Sequence, residues 1–265
     1  MREQLHIIKI GGNCIDDPHE LGLFLSSFAT ISGMKILVHG GGKMATKLAS
    51  KLGIDQTMVD GRRVTDAQTL DIAVMVYAGL INKKIVAQLQ AKENNAMGFS
   101  GADGNLIQGV KRTSSSIDYG FVGDILKEGI NIHLFETLLQ NRIIPVVSPI
   151  THDGNGQLLN TNADTIASKI AIALSSHYEV ILTYCFEKTG VLYAVENEES
   201  YIPILTKEKF IQLKAEGIIS KGMLPKLDNA FEAIEQGVAQ VAICNAQNLS
   251  AIGSEQVIAT QIINQ

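Results

Sequence analysis

The most constraining feature of this sequence is a strand-like run that leads into three glycines and then into a helix-compatible stretch. Residues 35–38 are suited to a buried strand, Gly40, Gly41 and Gly42 follow, and residues 44–52 have helical character. Glycines let the backbone approach an anion closely, and the first turn of a helix offers unpaired N–H groups and a positive dipole end. The segment therefore predicts a phosphate-binding turn.

A shorter version of the same pattern occurs near the start of the chain. The strand-like residues 7–10 include Lys9 and are followed by Gly11 and Gly12. Two glycine turns that follow parallel strands are expected side by side at one edge of a sheet. That arrangement suits the terminal phosphates of a nucleotide.

Strand and helix patterns alternate along the chain. The strands are continuous runs of Ile, Val and Leu, which is typical of a parallel sheet covered on both faces, so we predict an open α/β sandwich. Strands are predicted near residues 5–10, 35–38, 96–100, 143–148, 180–183 and 240–244, and helices near residues 19–31, 44–52, 67–92, 132–141, 164–174, 207–216 and 223–236. A domain boundary is predicted near residues 149–160, where a hairpin is an equal alternative to a linker.

The predicted helix at residues 67–92 is long, roughly 38 Å at ~1.5 Å per residue. It has apolar residues on more than one face, whereas a surface helix normally carries one apolar stripe. Two interpretations stay open. The helix is either buried at the centre of one subunit or shared with a second subunit.

Composition indicates a globular protein. Hydrophobic residues make up 46% of the 265 residues and charged residues 18%, which argues against disorder. A net charge of −5 without a basic cluster argues against a nucleic-acid partner. Three scattered cysteines suit a reducing compartment, and neither a signal peptide nor an apolar run of membrane length is expected. We therefore expect a cytoplasmic protein with no membrane partner.

Other classes of site fit the glycine segments less well. A dinucleotide site would use Gly40, Gly42 and Ala45 with Asp60, but Asp60 does not close a clear strand, and Lys9 would have no role. An esterase would also need a serine elbow, and the nearest candidate, residues 98–102, lacks its final glycine. A P-loop is excluded, because the glycine segments lack the spacing of glycines and lysine that a P-loop requires. No metal-ligand spacing occurs among the six histidines, so no protein-bound metal is expected.

Three further segments carry polar groups suited to phosphoryl transfer. Arg63 lies in the turn at residues 60–65, where a guanidinium can bind a carboxylate through two hydrogen bonds. Residues 160–164 form a polar cluster that opens a helix, and Asn162 or Asp164 would serve equally well as a helix cap there. Lys226 lies in the first turn of another helix, against the local dipole, which is a weak indication of function.

In this order, these segments resemble the amino acid kinase family over almost the whole chain, and within it the kinases that act on N-acyl-L-glutamate. The motifs are Lys9-x-Gly11-Gly12, His39-Gly40-Gly41-Gly42, Gly61-Arg62-Arg63-Val64-Thr65, Asn160-x-Asn162-Ala163-Asp164 and Gly222-Met223-x-x-Lys226. The resemblance implies a three-layer αβα sandwich with a mainly parallel open sheet. It also implies an acyl-glutamate-binding and dimerisation lobe at residues 1–150 and an ATP-binding lobe at residues 151–265.

The implied reaction transfers the γ-phosphoryl group of ATP, bound with Mg²⁺, to the γ-carboxylate of N-acetyl-L-glutamate in arginine biosynthesis. No tightly bound cofactor is implied. Members of this length resemble homodimers joined through the helix at residues 67–92. Arginine-inhibited members carry an additional amino-terminal helix, so inhibition by arginine is not expected.

The resemblance also implies a role for each motif residue. Lys9 and Lys226 would stabilise the moving phosphoryl group, and Asp164 would hold both ammonium groups in place. N–H groups of the two glycine turns would receive phosphate oxygens, and the turn at Gly41 and Gly42 would also contact the acid. The glycines concerned are Gly11, Gly12, Gly41 and Gly42. Arg63 would bind the α-carboxylate and Asn160 the α-amide region. The attacking carboxylate is already ionised at neutral pH, so no general base is needed.

Two departures from the family pattern leave alternatives open. The segment at residues 184–190 is longer than in the family and lacks the family's aspartate. This departure affects the expected contacts with the nucleotide. The acyl pocket near residues 100–105 does not reveal the acyl group, so N-succinyl-L-glutamate is an alternative to the acetyl acid. A carbamate, aspartate or nucleoside monophosphate kinase, or a non-catalytic sensor, would be a more distant alternative.

Overall fold

The computed structural model describes residues 2–59, 62–114, 117–194, 196–219, 223–251 and 258–264. The strands and helices named below are given in chain order. The strands are β1 (Gln4–Ile10), β2 (Met34–His39), β3 (Met58–Val59), β4 (Arg62–Arg63), β5 (Ala96–Phe99), β6 (Ile107–Lys111), β7 (Val122–Ile130), β8 (Ile144–Val147), β9 (Ile150–His152), β10 (Leu158–Thr161), β11 (Glu179–Phe186), β12 (Ile204–Thr206), β13 (Gln240–Asn245) and β14 (Thr260–Ile263). The helices are α1 (Asn13–Asp16), α2 (Pro18–Thr30), α3 (Gly42–Lys51), α4 (Ala67–Val74), α5 (Asn82–Gln90), α6 (Ile132–Gln140), α7 (Ala163–Leu174), α8 (Lys207–Ala215) and α9 (Leu224–Glu235).

The chain divides into two compact units. Unit 1 comprises residues 1–35 and 167–265, and unit 2 comprises residues 36–166. The functional lobes predicted at residues 1–150 and 151–265 stay predictions.

Unit 1 is built on strands in the order β12-β14-β13-β11-β1, parallel except between β13 and β14. Six of the seven residues of β1 are buried, which explains why all but Gln4, His6 and Lys9 are apolar. Strand β11 extends to Phe186, beyond the predicted end at residue 183, so residues 184–186 belong to the strand and not to a turn. The free thiols of Cys185 and Cys244 face each other across β11 and β13, with 3.7 Å between the sulfur atoms.

Unit 2 contains the parallel strands β2, β8 and β5, in that order, and a small closed barrel of β10, β7, β6 and β9. Helix α5 packs on β5 and β8, and α6 packs on β8. None of the barrel strands was predicted as a strand, but the hairpin alternative at residues 149–160 is confirmed, because β9 and β10 pair in antiparallel fashion.

The predicted helix at residues 67–92 is helical over most of its length but not uniformly α-helical. Between α4 and α5, residues Met75–Ile81 form a π-helical segment. Val76, Tyr77 and Ile81 are buried there, whereas Met75 and Leu80 are exposed. Such π-helical insertions in α-helices are rare and occur often at functional sites.

The fold class predicted from the sequence, α/β with a mainly parallel sheet, is confirmed. Among the described residues, no helix is long and apolar enough to cross a membrane.

Candidate active site

The first glycine turn lies in unit 1, directly after β1. Lys9 is buried in β1, and a Cβ added to Gly11 would collide with Lys9 Nζ, so the ammonium group lies against the glycine. Gly12 has φ of +59°, which favours glycine, and a Cβ there would lie 3.1 Å from Glu187 Oε2. The turn thus brings one cation and one carboxylate close to its backbone.

A cavity of about 280 Å³ in unit 1 is lined by Lys226 together with Glu187, Lys188 and Gly190. The remainder of its lining is apolar: Phe186, Val191, Leu192, Ile218, Ile219 and Met223. Lys226 lies in the first turn of α9, next to Pro225. A mostly apolar cavity with a few charged groups at one side suits a nucleotide, whose base is flat and apolar and whose phosphates are anionic.

The connection that follows β11 and lines the cavity, residues 187–191, is held by hydrogen bonds to Glu198 and Thr260. Glu198 accepts hydrogen bonds from Lys188 Nζ at 2.7 Å, from Thr189 N at 3.1 Å and from Thr189 Oγ1 at 3.0 Å. Thr260 Oγ1 accepts a 2.8 Å hydrogen bond from Val191 N. The hydrogen bond to Lys188, followed by the bond from Thr189 N, lowers the pKa of Glu198, and the same Glu198 bond raises the pKa of Lys188. The connection is therefore fixed although it lacks the family's aspartate.

The second glycine turn lies in unit 2, between β2 and α3. Gly41 has φ of +147°, and a Cβ there would collide with Ile81 and lie 3.2 Å from Tyr77 Cδ1. Only glycine therefore fits at this position, because the π-helical segment packs directly against it. Gly42 begins α3, so the turn presents the amino end of a helix as predicted.

Arg63 is buried and its guanidinium lies beside this second turn. Nη2 donates to Gly42 O at 2.8 Å and to Thr46 Oγ1 at 2.9 Å, and Nη1 donates to Gln56 Oε1. Burial raises the pKa of Tyr77, and the nearby positive charge of Arg63 opposes that shift. The cation is thus held in a fixed position next to the glycines.

Two hydrogen bonds through Thr65 connect the side chain of Asn160 to the backbone of Arg63. Asn160 Nδ2 donates to Thr65 Oγ1 at 3.0 Å, and Thr65 Oγ1 donates to Arg63 O at 2.7 Å. The structure therefore brings Gly42, Arg63 and Asn160 together, three residues that were predicted separately as contacts of the acid.

Asp164 is buried in the first turn of α7. The helix is capped by Asn162, whose Oδ1 accepts from Thr165 N at 3.0 Å, so of the two predicted capping candidates Asn162 has this role. The predicted role of Asp164 as the partner of Lys9 and Lys226 stays a prediction.

Some of the predicted motif residues, namely Asp60, Gly61 and Gly222, lie outside the described residues. Other residues at the site carried no recognisable signal in the sequence: Thr46, Gln56, Tyr77, Glu198 and Thr260. Their contacts join residues that lie between 7 and 69 positions apart along the chain. Gln56 lies seven positions before Arg63, and Tyr77 is one of the apolar residues of the predicted helix at residues 67–92, but neither feature indicates a contact at the site.

The chain is similar to known proteins over nearly its whole length. The model of the amino acid kinase family matches residues 4–245. The acetylglutamate kinase of Phocaeicola vulgatus is 52% identical over 97% of this chain and 99% of its own length, and that of Cytophaga hutchinsonii is 51% identical over 98% and 99%. The crystal structure of smu.665 from Streptococcus mutans has a TM-score of 0.80 at 26% identity, covering 97% of this chain and 98% of that one.

The glycine turns, the cavity beside Lys226 and the Arg63–Asn160 connection thus occur in a chain whose sequence matches one family over nearly its whole length. The chain belongs to the amino acid kinase family.

Proposed function

We propose that this protein is an ATP-dependent kinase that phosphorylates the γ-carboxylate of N-acetyl-L-glutamate. The observation that carries the proposal is the 52% identity to the acetylglutamate kinase of Phocaeicola vulgatus, which extends over 97% of the chain. The connected set of Gly42, Arg63 and Asn160 supports it, because it offers a fixed guanidinium and an amide to one small acid.

The nucleotide side of the reaction is assigned to unit 1. The apolar part of the cavity receives the base, and Lys226 faces the phosphates from the first turn of α9. N–H groups of the turn at Gly11 and Gly12 receive phosphate oxygens, with Lys9 beside them. Mg²⁺ arrives as part of the nucleotide substrate and neutralises its phosphates.

The acid side is assigned to unit 2. The guanidinium of Arg63 binds the α-carboxylate, because its planar fork matches a carboxylate better than an ammonium does. Asn160 orients the amide, and the N–H groups at Gly41 and Gly42 face the reacting carboxylate at the amino end of α3.

The chemistry requires two anions to approach each other. An oxygen of the ionised γ-carboxylate attacks the γ-phosphorus in line, the bond from that phosphorus to the bridging oxygen breaks, and ADP leaves with the bonding electron pair. No proton has to be removed. The protein therefore contributes positioning and positive charge, and Lys9 and Lys226 are the cations assigned to the charge that develops during transfer.

A homodimer is part of the proposal. The π-helical segment exposes Met75 (54%) and Leu80 (44%), and Met97 on β5 is 47% exposed. Helix α5 packs on β5 and contacts the π-helical segment, so α5 connects the two elements that carry these apolar side chains, and a second copy of this chain would cover them. Light scattering of Leu80→Lys should show a monomer, whereas Ile211→Lys, which changes an exposed apolar side chain on α8, should stay dimeric. A monomeric wild type would refute this part.

Arginine biosynthesis and a cytoplasmic location belong to the same proposal and are supported by the family resemblance of the motifs.

A coupled ADP-release assay tests the function directly. The purified protein is supplied with MgATP and a panel of acids comprising N-acetyl-L-glutamate, N-succinyl-L-glutamate, aspartate and carbamate, and hydroxylamine traps the acyl phosphate as a hydroxamate. We expect release with N-acetyl-L-glutamate to exceed release with aspartate and carbamate. Release with aspartate or carbamate alone would refute the proposal.

A further inference from the structure

Unit 2 contains a buried polar pair that is separate from the groups assigned to the reaction. His39 and Asn82 are both fully buried, and His39 Nε2 lies 3.1 Å from Asn82 Nδ2. His39 ends β2, directly before the second glycine turn, and Asn82 begins α5, directly after the π-helical segment. A polar side chain in an apolar interior is costly unless it is hydrogen-bonded, so the hydrogen bonds of these two side chains decide how each is oriented.

The orientation of the Asn82 amide follows from its other partners. Asn82 Oδ1 accepts from Lys83 Nζ at 3.1 Å, and an ammonium group can only donate. Asn82 Nδ2 therefore faces both Val146 O, at 2.9 Å, and His39 Nε2. The space is tightly filled, because a Cβ added to Gly98 would collide with the Asn82 amide.

This orientation determines the tautomer of His39. Because Asn82 Nδ2 carries hydrogen atoms, His39 Nε2 has to accept, and the imidazole is neutral with its proton on Nδ1. His39 Nδ1 lies 2.9 Å from Gly40 O, so it donates to that carbonyl. The amide of Asn82 thus acts on the glycine turn through the imidazole.

The carbonyl of Gly40 in turn determines where the next N–H group points. The described peptide bonds are all trans, and in a planar trans peptide the C=O and the following N–H point in opposite directions. A Gly40 carbonyl held towards the buried imidazole therefore directs the Gly41 N–H to the opposite side, away from the buried pair.

We propose that Asn82 is a positioning residue that orients the Gly40–Gly41 peptide through His39 and so presents the Gly41 N–H to the reacting carboxylate. The proposal rests on the proposed function for the identity of that carboxylate. The orientation itself depends only on the contacts of Asn82, His39 and Gly40.

A kinetic experiment tests the positioning role. Misplacement of a binding group by about 1 Å can cost roughly 100-fold in rate. We expect Asn82→Ala to lower kcat on the order of 10–100-fold while the KM for ATP changes less than about threefold. His39→Phe should give a similar loss, and the double variant should be no worse than either single one, since the two residues act as a unit. Asn94→Ala, which removes a half-buried amide in unit 2 that donates to Lys92 O, should keep full activity.

A spectroscopic experiment separates this role from general stability and from the function itself. Long-range ¹H–¹⁵N spectra of histidine-labelled wild type should show the Nδ1–H tautomer for the resonance that His39→Phe removes, and Asn82→Ala should shift or broaden that resonance. An Nε2–H tautomer in wild type, additive losses in the double variant, or a folded Asn82→Ala with wild-type kcat would each overturn the proposal. An inactive wild type that nevertheless shows the Nδ1–H tautomer would count against the proposed function and not against the orientation.

Discussion

The guanidinium of Arg63 donates a hydrogen bond to the carbonyl oxygen of Gly42, with Nη2 and the oxygen 2.8 Å apart. The residue proposed to bind the α-carboxylate is therefore attached to the turn proposed to contact the γ-carboxylate. Because both ends of one small acid are recognised by connected groups, a shift of either group is expected to affect binding of the whole molecule.

Arg63→Lys tests this connection. Lysine keeps the positive charge but cannot donate to Gly42 O, Thr46 Oγ1 and a carboxylate from one planar group. We expect the KM for the acid to rise about tenfold or more and the KM for ATP to stay within about twofold. Arg62→Lys, at the neighbouring half-buried position in β4, is the matched control and should be near normal. An effect of Arg63→Lys that is confined to ATP would contradict the assignment.

Lys226→Ala tests the cation beside the cavity. If Lys226 stabilises charge mainly in the transition state, kcat should fall on the order of 10²–10³-fold while nucleotide affinity changes less. Steady-state kinetics and a fluorescent-nucleotide titration measure the two quantities. Lys214→Ala, which removes an exposed lysine of α8 that lies over Phe210, should leave both unchanged. A near-normal kcat for Lys226→Ala would remove this lysine from the mechanism.

Thr260→Val tests the connection between β14 and the cavity. The substitution keeps the shape of the buried side chain but leaves Val191 N without its 2.8 Å partner, and an unsatisfied buried N–H costs about 1–3 kcal/mol. Since Val191 lines the cavity, we expect the KM for ATP to rise several-fold and the KM for the acid to stay constant. Thr260→Ser, which restores the hydroxyl, should recover ATP binding. Equal ATP KM values for the Val and Ser variants would show that the hydroxyl has no positioning role.

The acyl preference is tested at two basic residues of the barrel. Arg112 N donates to Val122 O and Asn160 pairs with Val122 from the other side, so Arg112 lies two strands from Asn160, about 10 Å at ~4.8 Å per strand. Its guanidinium is already paired with Asp124. We expect the acetyl acid to be preferred and the acetyl-to-succinyl ratio of kcat/KM to stay within about threefold in Arg112→Ala and Lys111→Ala. A succinyl preference that falls about 5–150-fold in either variant, equivalent to about 1–3 kcal/mol, would instead assign that residue to a second carboxylate.

The sequence predicts those parts of this structure that depend on local pattern. Strands β1, β2 and β11 are rich in Ile, Leu and Val because they are buried, and the glycine turns are recognisable because Gly12 and Gly41 need conformations that other residues avoid. Strands β6 and β7 were missed because they close a small barrel, and barrel closure depends on pairing between distant segments.

The same distinction applies to the site. Arg63 was found from its motif, but its partners Gln56 and Thr46 were not, because hydrogen bonds across 7 and 17 residues leave no periodic signal in the sequence. Thr260 is separated from Val191 by 69 residues and is even less visible. Motifs therefore identify the reacting groups, while the residues that hold them in place require the structure.

Lys35 provides a prediction for stability and pH. This buried lysine caps the carboxyl end of α2. Its Nζ donates to Phe28 O at 3.0 Å, to Ala29 O at 3.1 Å and to Ile31 O at 2.8 Å. Burial lowers its pKa to about 8. Between that value and the ordinary lysine pKa near 10.4, the unfolded chain binds more protons than the folded one, so the contribution of Lys35 to stability rises with pH.

The comparison of wild type with Lys35→Met measures this contribution. We expect the unfolding free energy of wild type relative to Lys35→Met to increase by up to about 1.4 kcal/mol per pH unit between about pH 8 and pH 10, the slope for one proton. Urea unfolding at several pH values gives the difference, and Lys51→Met, at the exposed end of α3, should show no such trend. A constant difference from pH 7 to 10 would mean that the three carbonyl oxygens keep Lys35 charged despite its burial.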